Sequence, residues 1–264
     1  MADLHLPRIL CLHGGGVNAA VFRLQCRGLC RALATSFRFV FVDAPYLSPA
    51  DPAIIATFGE LQPFRRWLRW QVDQPNPGAD AICRAIDLAL EDAMAADSAL
   101  GATGPWVAVM GFSQGAKVAA SLLLRQRLRV EKLPAKDNDT DIDTNFKFGI
   151  LLAGRAPLVA LHPGLTDSLA LADADELTTG AFAQVTGSTF LQGSDHLLTL
   201  PTLHVHGTRD PGLANHRRLL ADYCQPGTTR LVEWDGDHRV VIRPPDVAAV
   251  VDAIVALARE TGVL

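Results

Sequence analysis

The most pointed chemical arrangement in the chain is Gly111-Phe112-Ser113-Gln114-Gly115, a G-x-S-x-G run set directly after the strand-like WVAVM and directly before the helical AKVAASLLLRQRL. A serine hydroxyl is a weak nucleophile until a base takes its proton, so the chemistry needs the oxygen held in the open, beside such a base. A strained strand-to-helix turn does this, and small residues two before and two after the serine let the turn close. The helix that follows aims unpaired N–H groups and its positive end at the serine oxygen, where negative charge gathers as a carbonyl is attacked. A plain Gly-Ser-Gly turn would carry the same letters. The flanking strand and helix favour nucleophilic acyl transfer.

Such a serine requires a base, and the base an orienting acid, in the chain order serine, acid, histidine. The run PTLHVH (201–206) leads into Gly207-Thr208-Arg209-Asp210-Pro211, and TRLVEW (229–234) leads into Asp235-Gly236-Asp237-His238, with Asp-Gly as a turn signal. If both runs are parallel strands, Asp210 and His238 stand at the carboxyl edge of the sheet, where reactive groups collect in open α/β folds. His238 is the expected general base and Asp210 its orienting acid. Asp195 is a weaker alternative acid, and Asp237 is too close in sequence to His238 to orient it. After the first strand, His13-Gly14-Gly15-Gly16 allows close backbone approach; the Gly15 N–H is the expected oxyanion donor beside that of Gln114, with Gly16 an open alternative to Gly15. The loop lacks both a Gly-Lys-Ser/Thr ending and a G-x-G-x-x-G pattern, which disfavours phosphate binding.

The other histidines permit a competing design. His204 and His206 share one strand face and, with Asp210, Asp235, Asp237 and His238, sketch a metal site. Histidines satisfied inside the sheet explain the pair more simply, and a metal reading leaves Ser113 without use. No metal and no cofactor are expected. His216, on a helical stretch, reads as a surface or cap residue, while His162 and His196 fall in irregular segments.

The elements that must position these groups are legible from hydrophobic pattern. Short apolar runs at 7–13, 37–43, 106–112, 147–153, 201–206 and 229–234 have the continuous character of strands buried on both faces. Helical patterns at 18–34, 79–96, 114–129, 213–224 and 245–260 lie between most of them, which predicts an α/β domain with a mainly parallel sheet and helices on both faces, spanning 1–264 as one unit. Residues 44–77, with six prolines and with Phe58, Phe64, Trp67 and Trp70, are too long for a plain connection and read as a lid or binding segment. Residues 131–146 carry Asp137, Asp139, Asp141 and Asp143 but lack the glycine and closing glutamate of a calcium loop, so a solvated surface loop is expected.

Composition narrows the class further. The chain has 264 residues, 49% hydrophobic and 20% charged, enough for a full core and far from disordered compositions. Its net charge of −4 offers nucleic acid no electrostatic footprint. No basic n-region precedes the first apolar stretch, Gly14 to Gly16 cut that stretch short, and no run approaches a membrane span; a soluble cytoplasmic protein is expected. Five cysteines without CxxC spacing read as reduced, buried small hydrophobes.

The segments RILCLHGGGVNAAVF (8–22), FVDAP (41–45), VMGFSQGA (109–116), PTLHVHGTRDPGL (201–213) and WDGDHRV (234–240) together resemble the fungal serine hydrolase family of small α/β-hydrolases. That resemblance implies the α/β-hydrolase fold with a compact six-stranded sheet lacking the extra N-terminal hairpin of larger relatives, the roles given above to Ser113, Asp210 and His238, and no cofactor. Within the family, HVHGTRDPGLANHRRLLADYC is most similar to esterases and thioesterases encoded with fungal polyketide synthases, of the lovastatin and citrinin pathway type. This implies hydrolysis of an acyl thioester, with an acyl carrier protein domain as partner. Arg65, Arg66 and Arg69 in FRRWLRW then either meet an acidic carrier domain or form the solvated face of an amphipathic helix. A general short-chain carboxylesterase, a non-catalytic hydrolase-fold binding protein and an acyltransferase with the same three residues are the alternative functions.

Overall fold

Six of the apolar runs become the strands of one parallel sheet in the computed structural model, which describes residues 4–132, 145–162, 170–178 and 194–264. In chain order the elements are β1 (Arg8–Leu12), α1 (Ala19–Gln25), α2 (Arg27–Ala32), β2 (Arg38–Val42), β3 (Tyr46–Leu47), α3 (Pro52–Phe58), a 3-10 turn (Gly59–Leu61) and β4 (Arg65–Arg66). They continue as α4 (Ala79–Ala99), β5 (Trp106–Phe112), α5 (Gln114–Lys132), β6 (Phe148–Leu152), β7 (Val159–Ala160), β8 (Ala172–Asp173), β9 (Thr202–Gly207), α6 (Leu213–Tyr223), β10 (Thr229–Trp234) and α7 (Pro244–Glu260). The main sheet runs β10-β9-β6-β5-β1-β2, every neighbouring pair parallel.

Alternation along the strands sorts side chains into two cores. Leu10, Leu12, Val109 and Leu151 pack with Ile82, Ile86 and Leu90 of α4 and Val118 and Leu122 of α5 on one face. Ile9, Cys11, Met110, Ile150 and Val205 pack with Phe22, Leu29, Val250 and Ile254 on the other, beneath α1, α2 and α7. The edge strands β2 and β10 are only partly buried, as expected where one side of the ladder is open. The chain builds outward from β1 to β2, then crosses to β5 and builds the other way, so the order reverses between β1 and β5. That crevice, at the carboxyl ends, is where such sheets bind ligands.

Two expectations are corrected. The helix foreseen over 18–34 is two helices that turn at Cys26, with Gly28 of α2 meeting Val247 of α7 at close range. FRRWLRW is not helical: Arg65 and Arg66 form β4, antiparallel to β3, and Val17 bridges to Arg65. Most of the acidic stretch at 131–146 lies outside the described residues. Among the described residues no helix is long and apolar enough to cross a membrane.

Candidate active site

Ser113 sits at φ 53°, in the left-handed region that non-glycine residues seldom occupy. The turn is held there by crowding. A Cβ on Gly111 would lie 2.2 Å from the Gly115 carbonyl oxygen, and one on Gly115 would lie 2.1 Å from that of Leu12. Neither position admits a side chain, so both glycines of the motif are steric requirements of the approach of β5, α5 and β1. The Ser113 N–H extends the ladder to the Leu152 carbonyl at 2.8 Å, and its own carbonyl accepts from Lys117 N–H at 3.1 Å.

Two loops converge on the serine from the later strands. A Cβ on Gly207 would meet the Asp237 and Gly236 carbonyls at 2.5 and 2.6 Å, so this glycine lets the end of β9 lie against the loop after β10. The result is a continuous polar line: His238 Nε2 is 2.9 Å from Ser113 Oγ, and His238 Nδ1 is 2.6 Å from Asp210 Oδ2. The His238 ring rests on Phe112, centroids 5.1 Å apart. Asp210 is buried; its other oxygen accepts from the Gly212 N–H at 2.7 Å. Burial alone would raise the Asp210 carboxyl, but the hydrogen bonds from His238 and Gly212 hold it below its ordinary value.

On the opposite side, the glycine loop is tied to the 44–77 segment. The Gly16 N–H donates to the Arg65 carbonyl at 2.9 Å, which commits it and leaves Gly15, among the two, as the candidate oxyanion donor. His13 is buried, its Nδ1 2.7 Å from the Gly14 carbonyl while its Nε2 accepts from Ala44 N–H at 3.0 Å, which sets the proton on Nδ1. Burial lowers its pKa to about 4. The Gln114 side chain makes three bonds across the site: its oxygen accepts from Trp67 N–H (2.8 Å) and Leu68 N–H (3.1 Å), and its amide donates to the Leu68 carbonyl (3.0 Å). Trp67 Nε1 donates to the His13 carbonyl at 2.9 Å, and Asn18, which caps α1 through Val21 N–H, also donates to the Leu61 and Pro63 carbonyls. Residues 44–77 are therefore fastened over the site's edge by directional bonds.

A family model described as serine hydrolase (FSH1) matches residues 1–249. The chain belongs to the FSH1 serine hydrolase family. Among its FSH1-type relatives, the esterase pigG of Monascus ruber is 49% identical over 264 residues, covering 100% of this chain and 95% of that protein. The esterase claE of Penicillium crustosum is 48% identical over 263 residues, covering 99% and 96%. Two solved structures share the fold at 14% identity: the Bacillus cereus carboxylesterase, with a TM-score of 0.53 covering 97% of this chain and 91% of that one, and Arabidopsis thaliana SOBER1, with 0.51 covering 95% and 98%. This FSH1-family chain is thus a serine hydrolase with the α/β-hydrolase fold.

Several side chains of the FSH1 site differ from their reading in sequence. His216 is not a surface residue: it is wholly buried, with Nε2 3.7 Å from Asp210 Oδ2. Its spacing with Leu219 and Tyr223 along one face of α6 was the available signal. Burial pushes its pKa down to about 3. The six-residue metal sketch does not assemble, because Asp235 and Asp237 turn outward to Arg209 and Arg239, and His204 pairs with Thr202 and Cys224. Arg66 is 1% exposed, stacked over Tyr46 and bonded to the Pro75 carbonyl, so it cannot meet an acidic partner. Arg65 donates to the Ala44 carbonyl and Arg69 to that of Val72. Asp195 is exposed, its carbonyl accepting from Arg127. Lys117, one turn after Ser113, has no distinguishing sequence signal; it is buried, donates to the Pro157 carbonyl, and is lowered to about 7 by burial and by the charges of Arg155 and Arg218.

Proposed function

We propose that the chain hydrolyses esters or thioesters through an acyl-Ser113 intermediate, with His238 as general base, Asp210 as its orienting acid, and the N–H groups of Gly15 and Gln114 as the oxyanion hole. The observation that carries this reading is the unbroken line Asp210–His238–Ser113, with contacts of 2.6 and 2.9 Å, ending on a serine held at φ 53°. His238 Nε2 takes the Ser113 proton as Oγ attacks the carbonyl, then returns it to the leaving thiol or alcohol; water repeats the cycle on the acyl-enzyme. Asp210 keeps the imidazole proton on Nδ1, so that Nε2 presents a lone pair. Loss of one oxyanion donor typically costs about 10²–10³ in kcat, which makes the two N–H groups a large share of the rate enhancement.

The natural substrate in this proposal is a polyketide acyl chain carried as a thioester on an acyl carrier protein, released as the free acid. Its support is the resemblance of residues 204–224 to esterases of polyketide pathways, and the identity of nearly half the chain with fungal esterases. Residues 44–77 act as the cover on the acyl side. A general carboxylesterase is the second reading, favoured by the burial of Arg66, which removes one member of the arginine group suited to a carrier domain. The test begins with intact-mass spectrometry after exposure to a fluorophosphonate, on the natural chain and on Ser113→Ala. One adduct, absent from the variant, is expected; a folded natural chain that stays unlabelled would put the binding-protein reading ahead of the enzyme. Turnover of an acyl-carrier thioester against p-nitrophenyl esters then separates the two substrate classes, the carrier thioester being expected to lead in kcat/KM.

A further inference from the structure

Asp210 has more company than an orienting acid requires. Besides His238 at 2.6 Å, its Oδ2 faces His216 Nε2 at 3.7 Å, while Oδ1 takes the Gly212 N–H and lies 3.7 Å from Arg155 Nη2. Among the described residues neither ring nitrogen of His216 has a hydrogen-bond partner, although the side chain is closed to solvent. A buried imidazole without a partner calls for an explanation. One donor atom from each of Asp210, His216 and His238 lies within 4.8 Å of the other two.

We propose that Asp210, His216 and His238 form a capture site for a divalent transition-metal ion, with Zn²⁺ the best match, and that its occupancy switches the hydrolase off. Two imidazole nitrogens and one carboxylate oxygen suit Zn²⁺ and its neighbours, whereas Mg²⁺ and Ca²⁺ prefer all-oxygen sets. Tetrahedral bonds of about 2.0–2.1 Å put ligand atoms about 3.3 Å apart, so the Asp210–His238 contact of 2.6 Å opens and the Asp210–His216 contact of 3.7 Å closes, while the two histidines, within 4.8 Å, draw together by up to about 1.5 Å. The His238 side chain is 33% exposed and the other two are sealed, so the ion enters from the Ser113 side. The Arg155 charge and the displaced hydrogen bond both oppose binding, which makes this a reversible site and not a structural one.

The ion takes the place of the proton on His238 Nδ1, and that proton moves to Nε2, so none is lost to solvent. A neutral imidazole ligated through Nδ1 carries its proton on Nε2, which then points a donor at Ser113 and cannot accept the serine proton. The same tautomer fault, produced in a serine protease by changing the orienting aspartate to asparagine, costs about 10⁴ in kcat. The effect on rate rests on the reading of His238 as the base; metal binding itself does not.

The experiment titrates p-nitrophenyl acetate hydrolysis with buffered Zn²⁺ at pH 8, with Mg²⁺ as comparison, for the natural chain, His216→Phe and His216→Gln, each normalised to its own metal-free rate. Co²⁺ absorption is recorded on Ser113→Ala with and without His216→Phe. The expected results are inhibition by Zn²⁺ and not Mg²⁺, at least tenfold weaker in both His216 variants. A tetrahedral Co²⁺ band should appear in Ser113→Ala and vanish with His216. Unchanged Zn²⁺ inhibition in the His216 variants overturns the proposal, as does the absence of the Co²⁺ band, which leaves the reading of Ser113 and His238 intact. A His216-dependent band with undiminished turnover overturns the inhibitory role and the assignment of His238 as base together.

Discussion

The two sides of Ser113 are held by opposite means. On the glycine-loop side, His13, Asn18 and Gln114 have their polar atoms matched by backbone groups of the 44–77 segment, of the loop itself or of the first turn of α1. On the histidine side, His204, His206 and His216 lie in a row behind His238, with ring centroids 5.9, 5.4 and 6.2 Å apart. There His206 and His216 lack a hydrogen-bond partner at either ring nitrogen, among the described residues, and His204 lacks one at Nδ1. Directional bonds fix the first side to a geometry. The second is a packed stack of neutral imidazoles, whose stability depends on their staying neutral. In the reading proposed for Ser113, the side that would present N–H groups to a developing charge is the one fixed by directional bonds, and the side that would move a proton keeps unpartnered ring nitrogens nearby, among the described residues.

The largest effect tests whether the two sides meet in one machine. Ser113→Ala and His238→Ala should each lower kcat by a factor on the order of 10⁴ or more, and the double variant should be little worse than either, as residues acting as a unit are not additive. Steady-state hydrolysis of a p-nitrophenyl ester measures this, and near-additive losses would count against the shared mechanism.

Acid should separate the sides next. Burial lowers His204 to about 3, His206 to about 4 and His216 to about 3, so below the ordinary histidine value the unfolded chain binds protons that the folded chain refuses. Stability is full above about pH 6.5 and falls as pH drops toward 4, by up to about 1.4 kcal/mol per pH unit for each such histidine. On the other side His13, lowered to about 4 by burial, adds a single histidine against these three. Urea midpoints between pH 7 and 4.5 should drop steeply, and His216→Phe should flatten the slope by about one proton. A flat profile over that window would remove the distinction drawn for the histidine side.

The smallest effect concerns the clamp. Gln114→Ala deletes three hydrogen bonds to Trp67 and Leu68 and should cost about 1–3 kcal/mol of stability, with roughly a tenfold fall in kcat as the cover loosens beside the Gln114 N–H. Gln114→Glu keeps the acceptor and should recover part of the loss. Denaturation and kinetics on the two variants decide it: unaltered stability and rate in Gln114→Ala would mean that the cover is held by packing alone.

Much of this was open to reading from residue order, and the exceptions share a cause. The interior strands were recognisable because strands buried on both faces are written as continuous apolar runs, and β1, β6 and β9 are buried at every position; the edge strands β2 and β10, only partly buried, were recognisable from their β-branched and aromatic residues instead. The G-x-S-x-G turn and the loops bearing Asp210 and His238 were recognisable because their demands on the backbone are local. Arg66 and His216 were misread since nothing in the identity of an arginine or a histidine says which face of its element will be covered. Gln114 shows both conditions in one residue: its N–H was legible from the motif, while its side chain bonds residues 46 and 47 positions away.

The sequence by itself determined the strand-to-helix turn at Ser113, the strand ends that carry Asp210 and His238, and the parallel α/β order that places them on one edge. These follow from steric limits within a few residues and from alternation of apolar side chains. Only the tertiary structure decided that Gly16 is committed to Arg65 while Gly15 is left open, that Gln114 fastens the cover, and that His216 stands buried against Asp210. Each depends on distant segments meeting at particular atoms, and that meeting is set by how the whole core packs.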